Sequence, residues 1–329
     1  MSKERKKKNY RLLAAAIAVL AAGLVMFGVS YAFGLTDREA WVKTNAKLRT
    51  ARGYYETPEI VTESYDADAF TSIDFNLVDR DFIIEAGTGD KFELTYNVNF
   101  DGEMEIGIDG ETLSLKQKSF SGKNIGHFLY MDLDWVIGIF DGKWSSPDVK
   151  LIVPADFEFE KMNIKATSGD MVFDKISAEE MFVKVTSGNV KIEDSVFMKK
   201  LGFELTSGDL RIKNVIASEI TIHLTSGDTN IDEVKADKLT AKPITSGNLV
   251  VSASDIKHIE FKTTSGNVTF KDMPFAVSNT EFAISVTSGN IRVGEHKQGS
   301  PYNPPNSTAE YRIEGHCTSG NFKFTSVIK

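Results

Sequence analysis

The sequence predicts an all-β protein, a single-stranded parallel β-solenoid (β-helix) with about 19–20 residues per coil, preceded by one N-terminal transmembrane helix. Three observations predict it. The tetrad Thr-Ser-Gly-Asp/Asn recurs through the second half of the chain, with its glycines at Gly169, Gly188, Gly208, Gly227, Gly247, Gly266, Gly289 and Gly320, so that their numbers step by 19, 20, 19, 20, 19, 23 and 31. A fixed period of this size marks a stack in which each repeat is one coil that cannot bury its apolar face alone. Around the tetrads the apolar residues alternate: Val185, Val190 and Ile192 of one repeat stand where Leu205, Leu210 and Ile212 stand in the next. Period two belongs to strands with one face inward and one face wet. The third observation is residues 12–35, an almost unbroken apolar run without charge, long enough for a membrane span of about 20 residues.

Taken in order, residues 1–11 carry Lys3, Arg5, Lys6, Lys7, Lys8 and Arg11 against Glu4, and such a basic flank keeps the amino terminus of a span in the cytoplasm. Everything after Thr36 is then expected outside, as a single-pass protein of the cell membrane. A cleaved secretory signal is the competing reading, because Ser30-Tyr31-Ala32 resembles a cleavage site; the apolar part of a signal peptide is shorter, about 7–15 residues. Thr36-Asp37-Arg38-Glu39 has the capping-box pattern that starts a helix, so 36–58 reads as a helical stalk or linker.

Residues 59–148 read as an irregular β cap or first coils, with strands expected at 70–77, 81–85, 92–98 and 112–116 and tight turns at Gly102 and Gly110. Gly87-Thr88-Gly89-Asp90 reads as a worn copy of the tetrad. The insertion 119–147 breaks the pattern with Phe128, Tyr130, Trp135, Ile137, Phe140 and Trp144. Such a run either folds over an open solenoid end or presents a sticky patch to a partner.

Residues 149–329 read as the regular ladder. In its tetrads, glycine turns the chain between two strands, and Thr and Ser at the same place in every coil are expected to form hydrogen-bonded rows of hydroxyls. After each second strand the chain is expected to return by a less regular segment. Extra residues at 272–280 lengthen one coil, and 294–309, with Pro301, Pro304 and Pro305, is expected as an external loop on the binding side.

The formal charge of −8 conceals an asymmetry: residues 1–11 sum to +5, leaving the remainder near −13. An acidic body argues against nucleic acid. One cysteine excludes an intramolecular disulfide, and Cys317, at a core position of its repeat, reads as a small buried hydrophobe. His127, His223, His258, His296 and His316 are scattered, and the acids repeat with the coil instead of concentrating at one level. The glycine-rich stretch ending at Asp90 precedes a strand where a phosphate site needs a helix. No catalytic residue, cofactor or metal is therefore expected, and the chain reads as a non-enzyme. The alternative is a polysaccharide-active β-helix enzyme of the cell envelope.

The Thr-Ser-Gly-Asp/Asn coils, the run Val149-Lys-Leu-Ile-Val-Pro154 that leads into them and the single amino-terminal apolar segment resemble the putative-adhesin β-strand repeat family, found in LiaG-like envelope proteins of Gram-positive bacteria. The resemblance covers about residues 59–329. It implies a surface-exposed, non-enzymatic domain tied to adhesion or envelope-stress sensing, and carries no catalytic residues over. The expected partners are the membrane, through the one span, and an envelope protein or cell-wall polymer.

Overall fold

The computed structural model describes residues 59–98, 104–118 and 149–328. The basic tail 1–11, the apolar run 12–35, the stalk 36–58, Gly102 and the aromatic insertion with Phe128, Tyr130, Trp135, Ile137, Phe140 and Trp144 lie outside the described residues. No helix among the described residues is long and apolar enough to cross a membrane.

The first part of the chain contributes β1 (Glu59–Asp66), β2 (Ser72–Leu77), β3 (Phe82–Ala86), β4 (Lys91–Val98), β5 (Met104–Asp109), β6 (Thr112–Gln117) and β7 (Val149–Val153). Long and short strands then alternate: β8 (Glu158–Ser168), β9 (Met171–Asp174), β10 (Ser177–Ser187), β11 (Val190–Glu193), β12 (Val196–Ser207), β13 (Leu210–Lys213), β14 (Ile216–Ser226), β15 (Thr229–Asp232), β16 (Lys235–Ser246), β17 (Leu249–Ser252) and β18 (Asp255–Ser265). The chain closes with β19 (Val268–Met273), β20 (Thr280–Ser288), β21 (Ile291–Val293), β22 (His296–Gln298), β23 (Tyr311–Ser319) and β24 (Phe322–Ser326).

Two sheets result. The long strands form one, in the order β20-β23-β18-β16-β14-β12-β10-β8-β2-β6-β5, and the short strands the other, β1-β4-β7-β3-β9-β11-β13-β15-β17-β19-β24-β21-β22. In the regular coils the tetrad carries the chain from the long-strand sheet to the short-strand sheet, and a second corner brings it back. Pairing from coil to coil is parallel, with Val185 between Ala166 and Leu205, and Ile192 between Phe173 and Ile212. Inward residues such as Met181, Val183, Val185, Val190 and Ile192 are buried between the sheets, each contributing on the order of 1.5–3 kcal/mol of hydrophobic stabilisation.

The return segment is more regular than its sequence suggests. One residue at the second corner takes the left-handed conformation in each of the six coils from Gly169 to Gly266: Lys175, Asp194, Asn214, Glu233, Ala253 and Asp272, with φ between +46° and +54°. Their identities share nothing but tolerance of the corner, and the N–H groups of the first five bond to a carbonyl of the neighbouring coil, as Asp194 does to Lys213 at 3.2 Å, while that of Asp272 bonds Thr325 Oγ1. Except after Asp272, where the chain runs on to Thr280, the long strand begins directly afterwards. The alternation between shorter and longer repeats is absorbed there: β12 and β16 are 12 residues long where β10, β14 and β18 are 11. Their register shifts fall between Phe197 and Lys200 and between Ala241 and Ile244.

A parallel solenoid describes the middle of the stack but not its ends. At one end β1 and β4 pair antiparallel, β4 runs antiparallel to β7, and β5 to β6; at the other, β22 folds back on β21. Nor does the stack follow chain order. The coil of Gly320 (β23 and β24) lies between those of Gly266 and Gly289, and β2 and β3 lie inside β6 and β7. Gly87–Asp90 is consequently no copy of the tetrad, because β3 and β4 sit in the same sheet with β7 between them. The corner of that coil is Val78-Asp79-Arg80-Asp81, with the Arg80 carbonyl stacked against Gly169. Residues 119–148 join β6 to β7, and so occupy in the chain the place that a tetrad holds elsewhere.

The loop 294–309 closes the stack. Tyr302 exchanges both backbone hydrogen bonds with Ile284 of β20, at 2.8 and 3.0 Å, and Ser300 Oγ bonds the backbone of Val286. A sheet edge otherwise open to pairing is thereby covered. Aromatic rings gather towards the two ends, with Phe70 stacked on Phe92 at 4.2 Å and Phe275 on Tyr311 at 3.8 Å. Gly315 makes room for one of them, since a Cβ there would meet the ring of Phe261 at 2.5 Å.

At the tetrad corner the eight glycines have φ between +116° and +146°. A Cβ on Gly247 would overlap the carbonyl oxygen of Gly227, so both conformation and space demand glycine. The hydroxyls do not form the expected rows: Thr and Ser of every tetrad face solvent. The Asp and Asn side chains make the ladder instead. Each Oδ1 accepts the backbone N–H of the next coil, from Asp81 through Asp170, Asn189, Asp209, Asp228, Asn248, Asn267 and Asn321 to Asn290, at 2.8–3.0 Å. Gln117 ends it, accepting from Val78 N and donating to Asp79 Oδ1. Replacing Asn248 with Ala strips the acceptor from Asn267 N and is expected to cost about 1–2 kcal/mol. Gly247→Ala is expected to cost about 3 kcal/mol or more. Denaturant melts of both variants check the order, and a Gly247→Ala protein as stable as the wild type would refute the backbone contact.

Candidate functional site

The long-strand sheet turns its polar face outward in rows one residue deep per coil. Along one row stand Lys238, His258, Arg312 and Glu281, and along the next Thr240, Glu260, Glu314 and Ala283, on β16, β18, β23 and β20. Alternating apolar and polar residues on these strands hold the apolar set, Ile259 and Ile313 among them, in the core. The intervening residues have no choice but to face out.

These two rows converge on a cluster. His258 Nε2 lies 3.7 Å from Glu260 Oε1 and 3.5 Å from Glu314 Oε1. The other carboxylate oxygens are held from outside: Lys242 Nζ is 2.5 Å from Glu260 Oε2, and Arg312 donates to Glu314 Oε2 at 2.7 and 3.0 Å. Arg312 also reaches Glu281 at 3.2 Å, and Lys238 stands 3.7 Å from Glu260 Oε1. Lys242 owes its position to the register shift of β16, since a bulge re-aims side chains that regular pairing would hold in line. Glu260 is nearly covered, its side chain 17% exposed. The Lys242 ammonium, and next a hydrogen bond with Glu314, hold its carboxyl down at about 2.

His258, Glu260 and Glu314 are the one group among the described residues whose ligand atoms come together in a way that could hold a metal ion, all within 4.8 Å. The sequence hides this. His258 and Glu260 share a face by their spacing of two, but Glu314 is remote in the chain and arrives only because β23 pairs with β18. Of the other histidines, His316 bonds Ser285 through Nδ1 at 2.7 Å. Asp209 and Asp228 of the tetrads have their Oδ1 atoms engaged in the ladder.

Gly169, Gly188, Gly208, Gly227, Gly247, Gly266, Gly320 and Gly289 follow one another as a column at the tetrad edge. A shallow open groove at the other end of the long strands is lined by Met198, Ile216, Lys235, Asp237, Asp255 and Lys257, with Met198 and Ile216 more than half exposed.

Cys317 is fully buried, between Thr263 and Val286 of the adjoining strands, and burial pushes its thiol up to about 12. Since the folded state favours the neutral thiol, its contribution to stability is complete below the ordinary value of about 8.5–9 and is lost as pH rises towards 12. The folded protein is expected to leave Cys317 untouched by a thiol reagent at about pH 9, with one thiol reacting after denaturation; rapid labelling of the folded chain would contradict the packing.

The family model described as Toastrack DUF4097 matches residues 70–325. Among solved structures the chain is similar to a putative adhesin from Bacteroides fragilis NCTC 9343, at 13% identity and a TM-score of 0.46, over 82% of this chain and 98% of that one. It is similar to a putative adhesin from Parabacteroides distasonis ATCC 8503, at 13% identity and a TM-score of 0.48, over 81% of this chain and 97% of that one. A putative lipid binding protein from the same strain matches at 12% identity and a TM-score of 0.39, over 81% and 97%. No curated protein matches the chain.

Proposed function

The chain belongs to the Toastrack DUF4097 family, and from that premise we propose that it is a non-enzymatic binding or scaffold module of the cell surface. In this reading residues 12–35 span the membrane once, the amino terminus is cytoplasmic, and the β stack stands outside. The observation that carries it is the repetition of the surface. Thr and Ser of every tetrad from Thr167 to Ser319 face solvent, so one edge offers the same pair of hydroxyls at each coil spacing of about 4.8 Å. Such an edge suits an extended partner with its own repeat, a cell-wall polymer above all, held by many weak and equal contacts.

The acidic pair supports the same reading against hydrolysis. Glycoside hydrolases keep their working carboxyls about 5–9.5 Å apart, whereas the oxygens that Glu260 and Glu314 turn to His258 lie within 4.8 Å of one another and each carboxylate is tied to a cation.

Protease added to intact protoplasts is expected to remove the β stack and spare the membrane segment; a protected stack would reverse the topology. Purified full-length protein is expected to co-sediment with cell-wall fragments. Alanine at Thr206, Ser207, Thr225, Ser226, Thr245 and Ser246 should weaken that binding several-fold while the fold survives. Unchanged co-sedimentation would remove the tetrad edge from the interface.

A further inference from the structure

We propose that His258, Glu260 and Glu314 bind one divalent transition-metal ion of the zinc class, which ties β18 to β23. Imidazole nitrogen with two carboxylate oxygens is a donor set that such ions take, leaving a fourth position for water or a partner's oxygen.

The two edges that run from His258 approach those of a coordination shell. Zinc holds nitrogen and oxygen ligands at about 2.0–2.2 Å, so the edges of its tetrahedron measure about 3.4 Å. His258 Nε2 stands 3.5 and 3.7 Å from the two carboxylate oxygens, close to that edge, and those oxygens lie within 4.8 Å of each other, so the ion has to draw the carboxylates together. The outer oxygens are unavailable to an ion because Lys242 and Arg312 occupy them, and that fixes the inner pair towards the imidazole. Outer partners of this kind orient ligating carboxylates. His258 Nε2 itself is closed off from solvent and has no hydrogen-bond partner. A buried nitrogen left in that condition beside two oxygens calls for an occupant.

The charged groups around the cluster decide which ion. Lys238 and Lys242 from β16 and Arg312 from β23 repel a dication, and Glu281 from β20 offsets one of them. Coulomb attraction is therefore weak, and the bond to nitrogen has to carry the affinity. Calcium, which wants six to eight oxygens, gains little here. Lys238, with its half-exposed arm 3.7 Å from Glu260 Oε1, swings to solvent when the ion enters. The place is not arbitrary either, since β18 and β23 meet where the stack departs from chain order.

The test is titration of the chelator-stripped, detergent-solubilised full chain with zinc chloride alone, read by calorimetry and thermal melting. One zinc per chain and a Tm that climbs with the logarithm of free zinc are expected, with no comparable rise in calcium or magnesium. His258→Gln and Glu314→Gln should each fold and lose that zinc, either sufficing if the other does not fold, and Lys238→Ala should bind it several-fold more tightly. A wild-type chain that takes up no zinc, a His258→Gln or Glu314→Gln chain that binds it unchanged, or an equal Tm rise in calcium would each overturn the assignment.

Discussion

Carbonyl oxygens of successive tetrad glycines lie where a side chain would have to go, and the Asp/Asn ladder beside them donates and accepts from coil to coil. Together they impose one spacing and one register on the stack. Once that register is set, like positions superimpose whether or not their side chains suit one another. Inside, this produces layers of aliphatic residues; outside, it produces rows of polar residues, in some of which charge alternates. Lys161, Glu180, Lys200, Glu219 and Lys238 follow one another along such a row, each cation meeting an anion across the strand at a gain of roughly 0.2–1 kcal/mol.

At His258 that alternating row ends. An extra residue in β16 throws Lys242 out of line, and a strand from elsewhere in the chain brings Glu314 against Glu260. A rigid repeat thus offers two kinds of surface. One is the tetrad edge, the same at every level and suited to contacts that add up; the other is a single level that differs from all the rest. Function that depends on avidity belongs to the first, and chemistry that needs convergent donors belongs to the second.

What could be read from the chain beforehand follows the same division. The regular spacing of the tetrads, the alternation around Val185 and Leu205 and the need for glycine at the corner are local patterns, repeated often enough to be unmistakable. The second corner escaped because its left-handed residue is Lys, Asp, Asn, Glu or Ala by turns, so nothing marks it but position. Val78–Asp81 escaped because it lacks glycine, its neighbour leaving the Arg80 carbonyl where a tetrad would place one. Thr and Ser looked like the hydrogen-bonding rows, yet they face solvent and the Oδ1 of Asp and Asn meets the next backbone N–H. The two longest intervals between tetrads announced extra residues without saying that they let the last coil slip beneath the one before it.

That slip changes what the stack is as an object. A simple pile can grow or shrink by one layer at its exposed end, and each partial pile is a smaller version of the whole. Here β20 and β21 are made before β23 and β24 yet lie beyond them. During synthesis they have to wait beside a slot whose contents do not yet exist, with their inner neighbours missing. A chain lacking β23 and β24 would be no shortened rod, because it would hold a gap between two formed layers. Closure at this end is therefore all or nothing, and the keystone arrives last.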